Sequence, residues 1–246
     1  MNQSSRDDTQ VLIVGAGPTG LVLALWLTRL GVRVRIVDKA AQAAATSRAI
    51  AVQARTLELY AQVGLGDVVE ARGRRAVAAS MWVAGRRVAR ASFGDMGAGI
   101  SPYPYALIFP QDEHEQLLIE RLNAAGVDVE RQVEFLDFEE TGGRVVARMK
   151  RPDGAVERCE TPYLAGCDGA HSVVREALSI GFPGGTYAHL FDVADVEATG
   201  VAMNGEVHTT FDETDFLARR REPTSTRTRS VRRVRNQTSR DVFARR

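Results

Sequence analysis

The sequence predicts an α/β fold: a doubly wound parallel sheet with an inserted β-meander, followed by part of a second, β-rich domain. Three observations predict it. Residues 11–38 read as one strand–helix–strand unit. Strands and helices then alternate to about residue 178. A second glycine-containing turn, at 166–169, again joins a strand to a helix.

The first unit says most. Val11-Leu12-Ile13-Val14 is an uninterrupted apolar run, as expected of a strand covered on both faces. Gly15-Ala16-Gly17-Pro18-Thr19-Gly20 follows, then an apolar helix, then the strand Val34-Arg35-Ile36-Val37-Asp38. In this order the parts make a Rossmann-like dinucleotide fingerprint. Gly15 permits the tight turn, Gly17 lets the backbone approach a pyrophosphate, and Gly20 lets the helix pack closely on the strand. The helix N-terminus offers unpaired N–H groups and a positive dipole end to the phosphates. Asp38 lies 18 residues past Gly20, where a carboxylate can accept hydrogen bonds from ribose hydroxyls. The pattern predicts a dinucleotide and leaves its identity open.

An Ala-rich loop then leads to Thr46-Ser47-Arg48 and a helix from Gln53 to Val63, with Gly64 placed to end it. Arg74 to Ser92 has hairpin character, turning at Ala84-Gly85-Arg86, and Tyr103 to Phe109 reads as a short apolar strand. Asp112 and Glu115 are spaced as N-cap and N3 of a capping box that opens a helix through Leu122. Val127 to Phe138 and Arg144 to Lys150 read as strands joined at Thr141-Gly142-Gly143. Pro152-Asp153-Gly154 turns into the next strand, Val156 to Cys159. Tyr163 to Cys167 enters Asp168-Gly169, and a helix spans about Ser172 to Leu178.

Composition bounds the class. An apolar fraction of 44% is ordinary for a globular chain. Two cysteines, Cys159 and Cys167, with four histidines predict neither a disulfide scaffold nor a metal site, and fit a reducing cytoplasm. Residues 11–27 lack charge, but three glycines and a proline interrupt them, so no membrane span is expected. Charge is uneven. Residues 219–246 hold eleven arginines against Glu222 and Asp241, a local +9, which leaves −8 on residues 1–218 of the overall +1.

With the second motif, Gly166-Cys167-Asp168-Gly169-Ala170-His171-Ser172-Val173-Val174-Arg175, the chain resembles the single-component FAD monooxygenases related to para-hydroxybenzoate hydroxylase and phenol hydroxylase. The resemblance covers roughly residues 9–217 and implies aromatic hydroxylation with FAD, O2 and NADPH (or NADH) as reductant. It implies that Gly15, Gly17 and Gly20 hold the FAD pyrophosphate and that Asp38 holds the adenosine ribose. The family more often has Glu there, so the shorter Asp38 implies a longer or water-mediated contact. By the same resemblance, Arg48 lies along the cofactor's phosphate and ribose side, and Gln111 lies near the ribityl chain. Asp168 and Gly169 form a turn serving FAD and the NADPH approach. His171 reads as packing within the motif, and Arg175 as either a motif residue or a structural ion-pair partner. No nucleophile–base pair is required, since the cofactor carries the chemistry, and no catalytic residue is singled out.

These readings divide the chain into an FAD-binding domain over 1–180 with inserted β elements around 74–109, the start of a substrate domain over 181–217, and a basic, disordered tail over 218–246. The tail has few apolar residues to offset chain ordering. The family's later Gly-Asp flavin segment is not found after Leu217. Three readings of that seam stand: a frame shift in a full monooxygenase, a natural FAD- or nucleotide-binding half-protein that does not hydroxylate alone, and a basic arm for nucleic acid. The last is disfavoured by the lack of interleaved aromatics. Another flavin oxidoreductase of the same superfamily, a reductase or epoxidase, also stays open.

Overall fold

A computed structural model of the chain describes residues 8–43, 51–93, 97–185, 190–197, 206–211, 216–221 and 227–234. In chain order it contains β1 (Val11–Val14), α1 (Pro18–Arg29), β2 (Val34–Asp38), β3 (Ala51–Val52), α2 (Ala54–Gln62) and α3 (Gly66–Arg72). Next come β4 (Arg74–Arg75), β5 (Ala78–Val83), β6 (Arg86–Ser92), β7 (Leu107–Ile108) and α4 (Gln111–Ala124). Then follow β8 (Val129–Arg131), β9 (Glu134–Thr141), β10 (Arg144–Lys150), β11 (Val156–Thr161), β12 (Tyr163–Gly166) and α5 (Val173–Ala177). The last strands are β13 (Leu190–Glu197), β14 (Val207–Phe211), β15 (Phe216–Arg221) and β16 (Arg227–Val234). These elements fall into two compact units, Met1–Ala49 with Gln111–Pro183, and Ile50–Pro110 with Gly184–Arg246.

The first unit is built on a parallel sheet of order β12-β1-β2-β8. The four residues of β1 are all buried, which explains its unbroken apolar run. On one side, Leu12, Val14 and Val37 pack with Phe135, Met149, Cys159 and Val174. Leu21 and Ala24 of α1 are buried, as are Leu117, Leu118 and Leu122 of α4, and the two helices pack together. The antiparallel meander β9-β10-β11 turns at Gly142 and Gly143, both at positive φ (60° and 77°), as a two-residue hairpin loop requires.

Two sequence expectations change here. The single strand expected over Val127 to Phe138 is two strands in different sheets. The chain breaks at Gln132, whose φ of 57° redirects it from β8 beside β2 to β9 beside β10. Helix α4 starts at Gln111, so Asp112 is already helical and forms no capping box. Instead Gln111 Nε2 donates to Glu115 Oε1 at 2.7 Å, one turn along the helix.

The second unit contains a small sheet of order β3-β7-β4 and a six-stranded sheet of order β13-β16-β15-β14-β5-β6. Ala84 and Gly85 take positive φ (47° and 75°) at the expected β5–β6 turn. Strand β5 pairs in parallel with β14, from Val207 against Ala79 to Phe211 against Val83. Of the strands expected as an insertion around 74–109, β5 therefore pairs with a strand more than 120 residues later, while β4 and β7 pair within the small sheet.

Two strands among the described residues reach into the span expected to be disordered from residue 218. β15 runs to Arg221, and β16 pairs with both β15 and β13. Ladder bonds use backbone groups, so an arginine-rich segment that also carries Val and Thr can pair without a continuous apolar pattern. Helix α3, just after the Gly64 expected to end α2, is a further element that the sequence did not announce. No helix among the described residues is long and apolar enough to cross a membrane.

Candidate functional site: the glycine turn of the first unit

The turn after β1 is shaped by three glycines under three different constraints. Gly15 has φ of 102°, and a Cβ there would lie 2.4 Å from the Cys167 carbonyl oxygen. At Gly20 a Cβ would lie 2.0 Å from the Gly15 carbonyl oxygen, so only glycine lets α1 start this close to the strand. Gly17 differs. A Cβ there meets no atom within 4 Å, so the space beside the helix start is clear. Gly17 is also the N-cap of α1, with no side-chain cap, Pro18 just inside and no acidic residue in the first turn. A helix that begins this way presents its positive end and open N–H groups to a bound anion.

Asp38 closes the turn from the neighbouring strand. Its Oδ2 accepts the Ala16 N–H at 2.6 Å and its Oδ1 the Ala40 N–H at 2.8 Å, while Arg131 Nη1 lies 3.9 Å away. The carboxylate thus locks the glycine turn to the end of β2. Sequence reasoning missed this role, because the donor is a backbone group that no residue pattern announces. Each oxygen keeps a further acceptor position, so the lock and a ribose contact are compatible.

Asp168 organises the second motif. It accepts from the Ser172 hydroxyl and from the backbone N–H groups of Val173 (2.7 Å) and Val174 (3.4 Å). Ser172 Oγ in turn accepts the Arg175 N–H at 3.0 Å and caps α5. Gly169 turns with φ of 84° and faces open space. Arg175 folds back on the motif: Nη1 donates to the Ala170 carbonyl at 2.8 Å, and the guanidinium lies 4.7 Å over the Phe182 ring.

The two motifs meet because β1 and β12 are neighbours, with Cys167 N–H donating to the Val14 carbonyl at 2.7 Å. Between them is a cavity of about 90 Å³, lined in part by Val14, Gly15, Asp38, Phe135, Asp168 and Val173. Gly15, Asp38 and Asp168 are thereby brought together. Gln111 does not line this cavity, and its side chain is engaged with Glu115. Asp112 Oδ1, next to it, is buried with no hydrogen-bond partner among the described residues. Arg48 lies outside the described residues. Phe135 and Val173, which wall the cavity, were not foreseen as site residues, since they read simply as core.

Taken together, these features fit an adenine dinucleotide. The Cβ-free space at Gly17 suits a pyrophosphate, and the carboxylate beside it suits a ribose. The comparisons agree on the group. Residues 8–244 match the FAD binding domain family, and the chain belongs to it. The match continues past Leu217, across the arginine-rich segment. The chain is 46% identical over 176 residues to 6-methylpretetramide 4-monooxygenase of Streptomyces rimosus, covering 71% of this chain and 31% of that protein. It aligns with aklavinone-11 hydroxylase, solved with FAD and aklavinone, at a TM-score of 0.81 and 27% identity, covering 96% of this chain and 47% of that one. p-Nitrophenol 4-monooxygenase from Pseudomonas putida shares the fold, with a TM-score of 0.86 at 21% identity over 94% of this chain and 59% of that one. The chain spans less than half the length of the curated relatives it matches.

Proposed function

We propose that this chain is the FAD-holding part of a flavin-dependent monooxygenase that hydroxylates an aromatic ring, using NADPH or NADH and O2. The observation that carries the reading is the clear space at Gly17, between an uncapped helix start and the Asp38 carboxylate. In this reading Gly17 and the first N–H groups of α1 bind the pyrophosphate, and Asp38 orients the ribose while holding the turn. Asp168 and Gly169 set the second wall, and Gln111 and Arg48 contribute toward the ribityl and phosphate portions. Once bound, FAD supplies the redox chemistry, while the protein orients it and limits water. We place the protein in the cytoplasm, supported by its two free cysteines.

The test is Gly17→Val, assayed by titrating apoprotein with FAD and following the quenching of flavin fluorescence. The new side chain enters space that is empty of protein atoms, and its backbone φ of −77° suits any residue. Thermal stability is expected to stay within about 1 kcal/mol of the parent, while FAD affinity falls at least about 100-fold through loss of the pyrophosphate contact. Unchanged FAD binding in a folded Gly17→Val protein sinks the reading.

A further inference from the structure

The geometry points to a binding pocket for a planar, hydroxylated aromatic ring in the second unit, lined by Gln53, Phe93, Gly97, Tyr103, Pro104 and Tyr105. It rests on the hydroxylase reading above and adds a site for the ring within this chain. The cavity holds about 300 Å³, the lower end of the range for small-molecule sites and enough for two or three fused rings. Three aromatic side chains and a proline supply flat apolar surface.

The walls are held in place from behind. Arg75 lies 4.2 Å over the Tyr105 ring, and Glu70 engages both Arg75 and the Tyr105 hydroxyl. Tyr103 meets Tyr105 edge-on, with ring centroids 6.4 Å apart at 89°. The turn before Tyr103 is fastened as well: Ser101 Oγ donates to Glu58 at 2.6 Å and accepts the Tyr103 N–H at 3.1 Å. Gly97 donates to the Pro104 carbonyl, and a Cβ at Gly97 would lie 2.9 Å from Pro104 Cα, so this wall closes only around glycine. Such support lowers the ordering cost of binding a rigid ligand.

The polar side chains among the lining residues are Gln53, Tyr103 and Tyr105, and the Tyr105 hydroxyl is engaged by Glu70. Gln53 occupies the N-cap position of α2, yet its side chain does not cap the helix and is exposed at the lining. An amide both donates and accepts, so it suits a phenol hydroxyl or a ring carbonyl. Gln53 therefore selects rings that carry oxygen, and Tyr103 with Phe93 supplies the surface on which they stack.

The experiment uses the full chain and 2-naphthol, followed through the probe's own fluorescence, with naphthalene as the comparison lacking a hydroxyl. Saturable binding of 2-naphthol is expected, about fivefold tighter than naphthalene. Tyr103→Leu is expected to weaken both probes about tenfold. Gln53→Leu, at an exposed position, is expected to erase the preference for 2-naphthol while leaving naphthalene binding unchanged. FAD titration of the same proteins should not change. No saturable binding to the parent chain overturns the proposal, as does a preference for 2-naphthol that survives Gln53→Leu. If Tyr103→Leu does not fold, the Gln53→Leu comparison still decides. Naphthol binding by a chain that does not take up FAD would remove the hydroxylase reading and leave the pocket standing.

Discussion

At the scale of single residues, Asp38 carries two duties that a substitution can separate. Its carboxylate locks the glycine turn through Ala16 and stands where a ribose would bind. Asp38→Asn keeps the size but leaves one accepting oxygen, so one of the two hydrogen bonds from backbone N–H groups is lost and the other loses its charge. Stability should fall by roughly 1–2 kcal/mol and FAD affinity about tenfold, charged hydrogen bonds being the stronger kind. Denaturant titration and flavin quenching on the same sample check the pair. His114 gives a pH signature. Burial pushes its imidazole from the ordinary 6.5 down to about 4, so the folded state holds it neutral where the unfolded chain protonates it. Its contribution is complete above pH 6.5 and is lost as pH falls toward 4, a change of roughly 3 kcal/mol over that window. His114→Gln should flatten this part of the stability–pH curve, and urea melts at pH 7 and pH 5 would show it.

At the scale of elements, three strands of the first unit are tied together by charge. Arg35 on β2 donates to both Glu130 oxygens on β8, at 2.7 and 2.9 Å, and to Glu157 on β11 at 2.7 Å. Arg151 meets Glu157 from the other side at 2.7 Å. Burial acts to raise the Glu157 carboxyl, but its hydrogen bonds to Arg35 and Arg151 outweigh it and hold the pKa down to about 2. The stabilisation is present above the ordinary value of 4.5 and is lost as pH falls toward 2. Arg35→Leu would leave Glu157 with Arg151 alone, at 2.7 Å, and Glu130 with Arg151 at 4.0 Å, costing roughly 1–3 kcal/mol for the lost charged hydrogen bonds. The same variant should lose part of the acid-side drop in stability between pH 4.5 and 2, because Glu157 would keep only its Arg151 partner. Thermal melts across that range test both effects.

At the scale of the whole molecule, what the sequence revealed was local. The turn at Gly15 to Gly20, the Gly142-Gly143 hairpin and the Ser172 cap each sit within a few residues of the signal that announces them. What stayed hidden was pairing at long separation. Nothing in Ala78–Val83 says that its parallel partner is Val207–Phe211, and two-residue strands such as β3 and β7 are too short to show a period. Arginines at 219–221 argue against a buried core, yet they place no bar on the ladder bonds that β15 makes with β16. The site was half legible for the same reason. Glycine spacing marks the phosphate turn, whereas the Asp38–Ala16 lock depends on which strands lie side by side. The order of β12-β1-β2-β8 also matters while the chain is being made. Val11 on β1 is paired on one flank by Val34 but on the other by Tyr163, about 150 residues downstream. At typical ribosomal rates of roughly 5–20 residues per second, that flank waits about 8 to 30 s for its neighbour. For that interval a fully apolar strand presents an open edge to other nascent chains, and early folding depends on its being shielded.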